Sequence, residues 1–159
     1  VQFSGGSAGP DPQFAHGMTN TIKAGVAYFA IVLGAGFVMG SFRVPFLVPR
    51  LGERMAELIE MPLMFVVILL GARFVVRKYA LPTRTPVRLG AGLLALGLSL
   101  AAELLLAAVL QDRSVVDYIA SRDPVSGSVY LAMLVLFALM PLILARVEAA
   151  RKAAGREPG

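Results

Sequence analysis

Four apolar runs, at about 22–41, 58–76, 89–110 and 127–144, leave this chain almost no polar face to show to water. Each is close to the roughly 20 helical residues needed to cross a hydrocarbon layer about 30 Å thick. None shows the alternation of a half-buried strand, and in lipid a helix satisfies its own backbone hydrogen bonds. The expected fold is therefore an all-α integral membrane protein, with four transmembrane helices in an antiparallel bundle. Composition agrees: of 159 residues 57% are hydrophobic and 16% charged, with mean hydropathy +0.75. A soluble domain carries about a quarter charged residues.

Absences narrow the chemistry. The chain has no Cys, which excludes disulfides, thiolate nucleophiles and cysteine-held metals or clusters. Its single histidine is His16. Residues 1–17, "VQFSGGSAGPDPQFAHG", are rich in Gly, Ser and Pro and lack the charged and apolar regions of a signal peptide. They read as a disordered segment appended for expression, with the native chain starting at Met18. Residues 18–150 then form the membrane domain, and 151–159 a flexible tail. No nucleotide-binding loop or catalytic constellation is present, so no cofactor is expected.

The +5 charge is distributed by topology. With four spans, the two ends and the middle link hold ten Lys and Arg, against five on the opposite side. The positive-inside rule then places both termini in the cytoplasm of a bacterial inner-membrane protein. Basic residues that flank apolar runs argue against nucleic acid as a partner. The lipid bilayer is the expected partner, with a homo-oligomer or another membrane protein as further candidates. The link 43–54 is apolar for a loop and carries Pro45 and Pro49, so it is expected in the interface or folded back on the bundle. Residues 114–124 are expected to hold a short interfacial helix.

The carboxylates are harder to place. In "ERMAELIEMP", Glu53, Glu57 and Glu60 fall at i, i+4 and i+7, one face of a helix about to enter the membrane. Glu103 lies deeper, in "LSLAAELLLAAVL", eight residues before Gln111 and so about 12 Å from its helix end. A carboxylate facing lipid must protonate or find a partner. Topology brings Glu60, Glu103 and Arg43 to the same outer half of the membrane. The expected ligand site is Glu57, Glu60 and Glu103 with Arg43 or Arg54 as counter-charge; Glu53 is expected to be solvated. Such a cluster could bind, or bind and move, a cation, a proton or a cationic amphiphile. It could equally be a structural ion pair fixing helix register in a non-catalytic assembly protein, or have Glu103 bonded to Ser99. A membrane enzyme acting on a lipid or quinone is a third reading, weakened by the lack of a nucleophile or metal cage. Small-xxx-small pairs, Ala30/Gly34 and Gly36/Gly40 in the first span, Ala91/Ala95 and Gly97/Ala101 with the Gly90–Gly92 run in the third, predict close packing of the first span on the third. Pro141 in the fourth span should free the Phe137 carbonyl.

Overall fold

The computed structural model describes residues 12–111 and 124–155. Among them the structure is helical, without strands: α1 (Pro12–Phe42), a π-helical turn (Arg43–Leu47), α2 (Val48–Lys78), α3 (Thr85–Gln111) and α4 (Pro124–Ala154). Three helical stretches, Gly17–Lys78, Thr85–Leu106 and Pro124–Ala154, are long and apolar enough to cross a membrane. This marks a membrane protein. α1 starts at Pro12, inside the segment read as appended, and proline at a first helical position leaves no hydrogen bond unmade. The interfacial helix expected at 114–124 falls almost wholly outside the described residues.

The first stretch is 62 residues long. As a straight helix it would reach about 93 Å, three times the hydrocarbon thickness, so it must fold back. The link 43–54 does this while staying almost wholly helical. In the π turn the Val48 N–H reaches the Arg43 carbonyl, five residues back. This wider turn tolerates Pro45, and Pro49 falls in the first turn of α2, where a missing donor costs least. Gly52 then breaks the helix at φ 76° and ψ 162°, a conformation essentially closed to residues with a Cβ. Beyond it α2 returns along α1, with Met64 against Gly36 and Gly71 against Tyr28 and Ile31.

The other end of α2 closes differently. Ala80 takes φ 47°, Leu81 N–H bonds to the Val76 carbonyl and Ala80 N–H to that of Arg77. This is a Schellman cap with alanine where glycine is usual, and buried Leu81 and Val76 supply its apolar contact. Arg88, only 3% exposed, ties the turn down. Its Nη2 donates to the Leu81 carbonyl at 3.2 Å and pairs with Glu148 of α4 at 2.9 Å; its Nε donates to the Pro82 carbonyl at 3.2 Å. The sequence treats Arg88 as a topology charge. In the fold it also locks the α2–α3 turn to α4.

Each helix has two main neighbours, in the cyclic order α1, α2, α4, α3. Thr21 and Gly25 meet Gly90 and Ala91, so α1 and α3 run in the same direction. Gly92 meets Ala138 while Arg88 meets Glu148 and Glu103 meets Tyr130, so α4 runs against α3. Two antiparallel hairpins thus lie side by side. α1 packs on α3 as expected, at Gly90 and Ala91 of the small-residue run, whereas other expected positions stand clear. A Cβ on Gly25 would stand 2.8 Å from Leu94 Cδ2, and one on Gly92 would overlap the Ala138 carbonyl; Gly34, Gly40 and Gly97 have no neighbour within 4 Å. The small-residue spacing is real, but the rotation of the helices turns those three glycines away.

At mid-height the core is Tyr28, fully buried among α1, α2 and α4. Its ring packs against Phe137 at 4.6 Å between centroids, tilted by 51°. Its hydroxyl lies 3.2 Å from both the Phe137 and the Ile68 carbonyls. One hydroxyl donates one proton, and Phe137 is the needier acceptor. Its carbonyl would bond the N–H of residue 141, and Pro141 has none. Tyr28→Phe should keep the ring packing yet orphan that carbonyl, costing about 1–3 kcal/mol. Thermal unfolding in a mild detergent, compared with the exposed Tyr-free control Phe37→Leu, measures the difference.

Candidate functional site

Above Tyr28, toward the Gly52 end, the four helices stand apart around a cavity of about 360 Å³. That lies in the range of small-ligand pockets. Its deep walls are apolar, formed among others by Val32, Met64, Met133 and Phe137. Methionine suits such walls, because its unbranched, polarisable side chain adapts to the shape of what it touches. The rim is charged. Arg43 enters from the π turn, Glu57 and Glu60 from α2, Glu103 from α3 and Tyr130 from α4.

Local folding explains the rim. Once Gly52 turns α2 back along α1, the i, i+3 pair Glu57 and Glu60 faces the end of α1. Arg43 Nη1 then stands 3.2 Å from Glu60 Oε2 and 3.6 Å from Glu57 Oε1. The contact with Glu60 is one of charge, because neither Glu60 Oε2 nor Arg43 Nε has a hydrogen-bond partner. On the other side, Tyr130 donates its hydroxyl proton to Glu103 Oε2. Three carboxylates thus face one guanidinium. Among the described residues that line the cavity, Arg43 is the one cation.

Ser99 marks the interior. It sits one helical turn below Glu103 on α3, is 5% exposed and lines the cavity, and its Oγ has no hydrogen-bond partner. Helical hydroxyls usually donate to the carbonyl four residues back. Thr21, Ser41 and Ser128 do so here, to Gly17, Phe37 and Pro124, at 2.7–2.8 Å. Ser99 does not, which leaves a buried hydroxyl turned to the cavity.

Four residues expected at a ligand site, Arg43, Glu57, Glu60 and Glu103, line this one cavity. The fifth, Arg54, is exposed and does not line it. It is only two residues past Gly52, before α2 has turned inward. Glu53 is exposed, as expected of the solvated member. The bond weighed between Glu103 and Ser99 is not formed; Tyr130 takes Glu103 instead. Tyr130 and Tyr28 were not legible as site or floor residues. Their roles follow from the α3–α4 and α1–α4 registers, which no local pattern encodes. No group of three or more metal-binding side chains occurs among the described residues.

Comparison with known proteins gives no match: no family model, curated protein or solved structure aligns with the chain.

Proposed function

We propose that this is an inner-membrane protein of four spans, with both termini cytoplasmic, whose outer-half cavity binds a cationic amphiphile and carries it within or across the bilayer. The Gly52 end is then the outer end, and ten of the fifteen Lys and Arg fall inside. The observation that carries the reading is the pairing of an excess of carboxylate at the rim with an apolar, methionine-lined interior. A bare metal ion would gain little from that interior. An anion would meet three carboxylates. An alkyl chain or ring bearing an ammonium group fits both parts, its head between Glu60 and Glu103 and its body against Met64, Met133 and Phe137. Ser99 would accept or donate one hydrogen bond to a polar atom about one turn, roughly 6 Å, below the head. The reading is of binding and transfer.

The test is a series with one alkyl chain and three heads: octyltrimethylammonium, octanol and octyl sulfate. Binding is measured to protein in zwitterionic nanodiscs, with empty discs subtracted for partitioning. The cation should bind about 10–100-fold more tightly than the alcohol, the gain of a charge-assisted contact, and the sulfate should not bind measurably. Equal affinity for cation and alcohol would remove the role assigned to the carboxylates.

A further inference from the structure

At the opposite end of the bundle, α2 turns another charged face outward. Arg73, Arg77 and Lys78 are exposed beside Leu70 and Phe74, and together they line a shallow depression of about 490 Å³. The spacing 70, 73, 74, 77, 78 puts all five on one side of the helix. Lys78 Nζ rests 5.2 Å over the Phe74 ring, a cation–π contact. Elsewhere arginines that meet the bundle are paired: Arg43 with Glu57 and Glu60, Arg88 with Glu148. Arg73 and Arg77 have no carboxylate partner among the described residues.

Depth makes this unusual. Arg73 lies five residues before Lys78, the last residue of α2, about 7.5 Å along the helix from its end. In the membrane placement proposed above, that is just inside the end of the apolar run 58–76, so the stem lies along apolar surface and the guanidinium bends toward the headgroups. An unpaired cation at this depth, facing lipid, is costly. A phosphate drawn down from a headgroup relieves the cost, since guanidinium and phosphate match in geometry as well as charge. Leu70 and Phe74, 58% and 50% exposed, continue the face toward mid-membrane and offer an acyl chain an apolar track.

We propose that this face of α2 is a seat for one anionic phospholipid, its phosphate held between Arg73 and Arg77 and its chain lying over Phe74 and Leu70. Lys78, held over Phe74, meets the rest of the headgroup from the water side. The seat rests on the membrane placement and is independent of what the cavity binds. A zwitterionic lipid fits less well, because its own ammonium would face three cations.

The test titrates delipidated protein in a maltoside detergent with phosphatidylglycerol or phosphatidylcholine of identical chains, followed by native mass spectrometry. The first phosphatidylglycerol should bind at least about tenfold more tightly than phosphatidylcholine, given the worth of each basic residue near an anionic headgroup. In Arg73→Gln/Arg77→Gln that preference should fall to about twofold or less, whereas Arg151→Gln/Lys152→Gln, at the far end of α4, should keep it. Equal affinity in the unaltered protein overturns the proposal without recourse to any variant. So does a preference that survives the Arg73/Arg77 substitutions or disappears with the tail substitutions.

Discussion

Gly92→Ala is expected to destabilise the bundle by about 2 kcal/mol or more, and Gly92→Leu to prevent its assembly. A Cβ here would overlap the Ala138 carbonyl oxygen and crowd the Ala138 carbonyl carbon at 2.9 Å. The obstruction is backbone, so no side chain can rotate away, and α3 and α4 must separate along their whole contact. Overpacking of this kind costs about 1–3 kcal/mol even when a side chain can adjust. Against it stands the higher helix propensity of alanine, worth about 1 kcal/mol. Gly97 supplies the control, since a Cβ there meets nothing within 4 Å. Gly97→Ala should leave the midpoint of thermal unfolding in detergent unchanged or raise it. Equal midpoints for the two alanine variants would contradict the α3–α4 register on which the cavity depends.

The second large effect belongs to Arg88. Arg88→Ala withdraws donors from the Leu81 and Pro82 carbonyls and the partner of Glu148 in one step, and leaves a gap at a buried position. Loss of about 3 kcal/mol is expected, from two carbonyls left short of donors and a broken, part-buried pair. Glu148→Gln should cost less, about 1 kcal/mol. Its side chain is 44% exposed, water can screen what remains, and the amide oxygen still accepts from Arg88. Unfolding midpoints of the two variants, measured side by side, check the order. If Glu148→Gln proved the more damaging, the carbonyl contacts would be incidental and the charge pair would hold the turn.

What could be read in advance was whatever stands out against an apolar background. Glu60 and Glu103 are costly where they lie, and cost is visible in a single sequence, as is the arginine placed to meet them. The i, i+4, i+7 spacing put Glu53 on one face with Glu57 and Glu60, and its distance from the apolar run marked it as the solvated member; it is exposed. Packing detail was less accessible. α3 carries Gly90, Ala91, Gly92, Ala95, Gly97 and Ala101, small residues in several overlapping registers. Spacing alone favoured Gly97 as readily as Gly92, and only the rotation imposed by α4 separates them. Tyr28 and Tyr130 are ordinary aromatic residues in apolar runs until the partner helix is placed. Pro141 did signal a freed Phe137 carbonyl, but the donor that meets it comes from 109 residues earlier in the chain. In 43–54 the π turn takes up Pro45, Pro49 falls in the first turn of α2, and Gly52 makes the break.

The central claim is that Glu60 and Glu103 together hold the positive head of a ligand in the cavity. It is tested most directly by measuring octyltrimethylammonium binding in zwitterionic nanodiscs for the unaltered protein, Glu60→Gln, Glu103→Gln and the double variant. Glutamine keeps size and polarity, so the fold is preserved while charge is lost. Each single variant should bind about tenfold more weakly, and the double variant about as weakly as the unaltered protein binds octanol. Glu53→Gln, outside the cavity, should bind as the unaltered protein does. If the double variant retains full affinity for the cation, the carboxylates serve only to pair with Arg43 and Tyr130, and the cavity is not a cation-binding site.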